Sequence, residues 1–141
     1  RPSRTIRVML GPDLEAFDPA SIETFLSRPY TVTAQSDRMG YRLSGPKLRH
    51  VNGPDIVSDA ILPGAVQVPA SGEPIILLAD RQTTGGYARI ATVATVDLPY
   101  VAQMPPNSKL TFAAISVAEA QRRLVERETL LQKISVAVYS C

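Results

Sequence analysis

Proline does more than any other residue to restrict what this chain can fold into. Twelve prolines lie among 141 residues. Each fixes its own φ, removes an amide donor and biases the residue before it towards extended backbone. They leave room for only short elements. Residues 5–10 read as a strand stopped by Gly11-Pro12, because an apolar run ends there on turn chemistry. Residues 21–26 read as a short helix, with Asp18 as its cap, Pro19 at its first position, and Ile22, Phe25 and Leu26 on one face. Residues 30–34 form a further predicted strand, and residues 35–45 a strand-turn-strand around Met39-Gly40. The stretch 45–64 reads as mostly loop, with an apolar patch at Ile56-Val57.

Residues 66–68 and 75–79 are predicted strands joined by the turn 69–74, followed by β-branched strands at 90–96 and 109–114. One long helix closes the chain. Ser116 and Glu119 have the spacing of a capping box. Val117, Ala120, Leu124, Leu131 and Ile134 make one amphipathic stripe, expected to pack on the core, although a partner-binding face has the same pattern. Five to seven short strands with one or two helices predict a mainly-β barrel or sandwich capped by helices.

Composition narrows the function. Hydrophobic residues make up 45% of the chain and charged residues 20%, the balance of a globular protein. The longest apolar run, residues 75–79, is far short of the roughly 20 residues a membrane helix needs. Fifteen basic and thirteen acidic residues give a net charge of +2, with the basic side chains dispersed and aromatics at 6%. A nucleic-acid surface calls for a concentrated basic patch. The start, Arg1-Pro2-Ser3-Arg4, lacks a signal-peptide core and an initiator Met, so a piece of a longer chain is expected. The single cysteine, Cys141, is terminal and is read as a thiol without a role; with no internal disulfide, a cytoplasmic setting is expected.

Three polar clusters interrupt the apolar strands: residues 35–42, 63–69 and 80–87. In the last, Asp80 and Arg81 emerge where a strand leaves the core, a common place for site residues. Asp80 can accept a proton, Arg81 can grip a carboxylate through a bidentate fork, and Gln82 can both donate to and accept from an amide. Gly85-Gly86 permits close backbone approach to a ligand. An Asp80–Arg81 ion pair bracing a hairpin whose turn needs Gly-Gly explains the same residues equally well. Asp37-Arg38 beside Gly40 is read as a structural salt bridge at a turn. Gln67 lies between Val66 and Val68, so it faces away from them, towards a groove or simply towards solvent. His50 is read as solvated. With one histidine and no CxxC, no metal site is expected. No GxSxG, GxGxxG or P-loop occurs, so an ATP site would have to be shared with a partner.

The three clusters, in order, resemble the biotin-dependent carboxyltransferase-like family. This family includes allophanate hydrolase subunit two, KipA, the C subunit of 5-oxoprolinase and the carboxyltransferase part of urea carboxylase. The resemblance is carried by SRPYTVTAQSDRMGYRLSGP, SDAILPGAVQVPASGEPIILLADRQTTGGYARIATV and LTFAAISVAEAQ. It implies a cyclophilin-like β-barrel, with residues 1–141 as a single domain and the C-terminal half of a longer two-barrel protein. It implies a groove shared with the other half and with a partner resembling allophanate hydrolase subunit one, KipI or the B subunit of 5-oxoprolinase.

Carried over by motif, Asp80 and Gln82 are expected to be catalytic. Gln67, Arg81, Thr83, Thr84, Tyr87, Asp37, Arg38 and Tyr41 are expected to bind substrate. Members of the family often have Pro-Lys after the Gly-Gly-Tyr, where this chain has Ala88-Arg89. Arg89 keeps the charge and a binding role but not a proton-exchanging amine. The implied activity is ATP-dependent opening of a lactam such as 5-oxoproline. The alternatives are a KipA-like regulatory module binding a kinase inhibitor, and carboxyl transfer to a urea nitrogen. No cofactor is expected on this chain alone: ATP would act in the full complex, and biotin would come from a partner, since no Ala-Met-Lys-Met is present. The isolated piece is expected to be inactive and to pair with itself through open strand edges.

Overall fold

Apolar and polar side chains alternate along the short strands, which gives each strand one face to bury. The computed structural model describes residues 4–139; Cys141 lies outside the described residues. In chain order the strands are β1 (Arg4–Leu10), β2 (Tyr30–Val32), β3 (Gly40–Ser44), β4 (Asp55–Ala60), β5 (Ala65–Gln67), β6 (Ile75–Leu77), β7 (Thr84–Tyr87), β8 (Arg89–Val93) and β9 (Lys109–Ala114). The helices are α1 (Pro19–Ser27), α2 (Leu98–Ala102) and α3 (Val117–Tyr139). Seven strands close a barrel in the order β1-β8-β5-β6-β3-β2-β9, while β4 and β7 pair separately as a two-stranded ribbon. Closure comes from β9 lying parallel to β1, with Ile6 opposite Phe112; the other barrel pairs are antiparallel. The expected mainly-β barrel with helical caps is therefore observed. Its closure removes the open barrel edges through which self-pairing was expected.

Ile6, Val8, Val32, Val66, Ile76, Ile90 and Leu110 are fully buried. α1 adds Phe25, which stacks on Phe112 with ring centroids 4.3 Å apart. That helix begins as its sequence predicts: Asp18 Oδ1 accepts from the Ser21 amide at 2.7 Å, and Pro19 opens the first turn. The same amide holds the Asp18 carboxyl below its ordinary value. Arg7 grips the buried Asp97 through both carboxylate oxygens, at 2.6 Å and 3.0 Å, which ties β1 to the turn before α2.

Several expectations need correction. Residues 45–64 are mostly loop, but the loop is interrupted by a strand that was not expected: β4 occupies 55–60 and carries almost no buried side chain to reveal it. Gly85-Gly86 is not a turn but the middle of β7, opposite β4. No strand precedes Met39 within residues 35–39; a turn there leads into β3 alone. The strand predicted over 90–96 stops at Val93, and residues 95–97 make a helical turn. The apolar stripe of α3 is not core: Val117, Leu131 and Ile134 are each more than half exposed. Ser116 caps that helix by accepting from the Glu119 amide at 3.1 Å. The Glu119 carboxylate, however, pairs with Arg122 and Arg123 rather than completing the box. His50 is not solvated: its Nε2 lies 2.8 Å from the Val68 carbonyl oxygen and its ring packs on Phe17.

Candidate functional site

The ribbon of β4 and β7 stands against the barrel wall beside β5 and builds a pocket of about 320 Å³. Its walls include Gln67, Arg81, Gln82, Gly85, Gly86, Tyr87, Arg42 and Asp37. Gln67 forms the floor. It sits at a β-bulge, where the register against β8 slips between Val66 and Gln67, and bulges re-aim side chains in this way. Val66 and Val68 are fully buried, and Gln67 is 7% exposed on the opposite side. The predicted reversal of direction is correct; exposure to open solvent is not. Gly85 lies directly over it, and a Cβ there would come within 2.7 Å of Gln67 Nε2 and 2.5 Å of Ile61 Cδ1. Among the described residues none hydrogen-bonds the Gln67 side-chain amide, which leaves its donor and acceptor for a ligand.

Arg81 is half-buried, donating from Nε to the Ile61 carbonyl at 3.2 Å and from Nη1 to the Ala79 carbonyl at 3.1 Å. Among the described residues Asp80 and Arg81 form no ion pair. Nη2 is the end of the guanidinium left for an anion. Gln82 is exposed at the pocket rim.

Asp80 lies elsewhere. It lines a second, larger and mainly apolar pocket of about 650 Å³, with Tyr41, Leu78, Leu98, Met104 and Arg38. Asp80 pairs with Arg38 at 3.6 Å, both side chains well exposed, a contact worth about 0–1 kcal/mol at most. Asp37 does not form the predicted salt bridge with Arg38; its Oδ1 accepts from the amides of Met39 and Gly40 at 2.8 Å and 3.2 Å. The Asp37 turn separates the two pockets and lines both. The Tyr41 hydroxyl donates to the Ala102 carbonyl at 3.0 Å, and burial pushes its phenol above the ordinary value.

Thr83 and Thr84 are exposed on the ribbon and line neither pocket. Arg89 lines neither, because Asp13 and Asp59 hold its guanidinium. Of the residues singled out from sequence, Gln67, Arg81, Gln82, Tyr87 and Asp37 come together in one place. Sequence reasoning passed over Arg42, which sits inside the first polar cluster, and also Asp13 and Asp59, whose partner is 76 and 30 residues away.

Among the described residues, no helix is long and apolar enough to cross a membrane. The carboxyltransferase domain, subdomain A and B, matches residues 1–114. The C subunit of the 5-oxoprolinase of Escherichia coli (strain K12) is 38% identical over 130 residues, covering 92% of this chain and 42% of that protein. Its counterpart, the 5-oxoprolinase C subunit of Haemophilus influenzae, is 41% identical over 129 residues, again covering 92% and 42%. Among solved structures, the K. lactis urea amidolyase superposes with a TM-score of 0.79 at 28% identity, over 84% of this chain and 8% of that one. The chain therefore spans 42% of the length of the two curated 5-oxoprolinase relatives.

Proposed function

The chain belongs to the carboxyltransferase domain family, subdomain A and B, and from that membership we propose that it is the substrate-binding half of an amide-handling subunit of the 5-oxoprolinase type. The observation that carries the proposal is the pocket beneath the ribbon, where Gln67, Gln82 and Arg81 converge. Two primary amides and a cation are the complement of a small lactam bearing a carboxylate. Glutamine offers an acceptor to the lactam N–H and a donor to its carbonyl. The free end of Arg81 takes the carboxylate, and Gly85-Gly86 brings backbone close to the ring. A volume of about 320 Å³ lies at the small end of ligand pockets, which suits a single five-membered ring.

In this reading Gln67 and Gln82 orient the amide. Asp80, with Arg38, lies across the Asp37 turn and shapes the neighbouring pocket. A triphosphate is a poor match for these residues: two nitrogens of Arg81 are already bonded, and the sequence contains no P-loop motif. ATP is accordingly assigned to partner subunits, and no step is routed through it. The remainder of the longer protein is proposed to supply the other wall of the groove. Exposed Met39 and Tyr87, which line this pocket, are suited to that contact.

A second reading, carboxyl transfer from a partner-borne carboxybiotin to an amide nitrogen, is favoured by the likeness to urea amidolyase and uses the same amide pocket. The test is ATP-dependent ring opening of 5-oxoproline by the assembled complex carrying Gln82→Ala. Gln82 is exposed, so folding is unaffected. The expected result is a fall in kcat/KM of about tenfold or more, the equivalent of one lost hydrogen bond to substrate. Unchanged turnover with an intact complex contradicts the assignment. A biotinylated partner on a streptavidin blot, together with urea carboxylation, selects the second reading.

A further inference from the structure

Arg89 is the most heavily engaged cation around the pocket, although it does not line it. Its Nε donates to Asp13 Oδ2 at 2.8 Å, its Nη2 to Asp59 Oδ2 at 3.1 Å and its Nη1 to the Ala60 carbonyl at 3.0 Å. Asp13 is the barrel-side anchor, since its own amide donates to the Arg89 carbonyl at 3.1 Å and its carboxylate also accepts the Arg89 amide at 2.9 Å. Asp59 and Ala60 are the ribbon side, both on β4.

Four links join these residues to the pocket floor in a closed circuit. Arg89 lies opposite Gln67 across the β5–β8 ladder. It holds Asp59 by the ion pair. Asp59 lies opposite Gly85 across the β4–β7 ladder. Gly85 in turn rests on the Gln67 amide. We infer that Arg89 is a positioning residue: by holding Asp59 and Ala60 against Asp13, it fixes the height of the ribbon above Gln67 and so sets the width of the smaller pocket. Its guanidinium is thereby withdrawn from substrate contact. The inference rests on the reading of that pocket as the amide site.

Three acceptors in different directions require a planar fork with several donors. A lysine at this position has one nitrogen and cannot meet all three at once. Arg81 ties the same ribbon at Ile61, so loss of Arg89 frees the Asp59–Ala60 segment and the Gly85 rung without detaching the whole ribbon.

The test begins with amide hydrogen exchange in the 141-residue chain carrying Arg89→Lys. Exchange at the ribbon amide of Ile61 and at its β7 neighbours is expected to rise roughly tenfold, as loss of charge-assisted hydrogen bonds implies. The barrel amides of Val93 and Leu43, bonded to the Gly64 and Pro74 carbonyls, should stay unchanged. Asp59→Asn is the second variant. Its carboxylate is exposed, so the core is untouched, and the same amides should respond more weakly. In the assembled complex, Arg89→Lys should raise KM for 5-oxoproline with kcat held within about twofold. A merely structural residue would lower stability without that split.

Unchanged ribbon exchange in both variants, or an equal rise in ribbon and barrel amides, overturns the inference. A loosened ribbon with KM unchanged counts instead against the pocket as the amide site and leaves the clamp standing.

Discussion

At Gly85 the absence of a side chain is what lets a strand lie over a polar floor. A Cβ there would meet Ile61 Cδ1 at 2.5 Å and Gln67 Nε2 at 2.7 Å. Both are ends of flexible side chains, so Gly85→Ala should be accommodated by displacing the Gln67 amide. The expected outcome is a modest loss of stability, about 1 kcal/mol by urea denaturation, typical of slight overpacking. KM for the lactam should rise at least tenfold, because the methyl fills the pocket and turns its floor aside. Gln67 was legible in the sequence because a polar residue between two buried valines has to face away from them. Arg89 was only partly legible. Its charge is local information, whereas its partners Asp13 and Asp59 are fixed by tertiary pairing across 76 and 30 residues. Asp80 shows the converse. Adjacent to Arg81 in sequence, it turns instead to Arg38, because it lies in the turn after β6, where its amide donates to the Arg38 carbonyl at 3.3 Å and the two residues are held together.

Elements were readable where burial imposes a period and unreadable where it does not. β1 and β9 alternate buried and exposed positions and lie close to their predicted bounds. β4 is almost wholly exposed, so its strand character comes from pairing with β7, which no local pattern announces. Two glycines within β7 then read as turn residues, although their function is close approach. α3 errs in the other direction: its sequence has a clean amphipathic stripe, yet Leu131 and Ile134 are 53% and 52% exposed. Periodicity states that a face is apolar and not what covers it. Leu131→Ala should therefore change the stability of the chain by no more than about 0.5 kcal/mol, as surface substitutions do. Phe112→Ala, in the barrel core, should cost roughly 3–5 kcal/mol. Chemical denaturation of the two variants checks the contrast, and a cost above about 2 kcal/mol for Leu131→Ala would mean that α3 packs on the barrel.

For the molecule as a whole, strand content predicted a barrel, while the parallel pairing of β1 with β9 that closes it has no signature in either strand alone. Closure matters for the site. It makes β5 and β8 a rigid wall on which the bulge at Gln67 and the Arg89 clamp are fixed, and the ribbon is the one layer left to be adjusted. A site with a rigid floor and a tethered cover is suited to holding a small planar amide, as proposed above. The central claim is the location of that amide. A crystal structure of the assembled complex with bound 5-oxoproline tests it most directly. The account predicts the lactam under the ribbon, within hydrogen-bonding distance of Gln67 and Gln82, with its carboxylate at Arg81. Lactam density in the larger pocket beside Tyr41 and Met104, with the ribbon pocket empty, would contradict it.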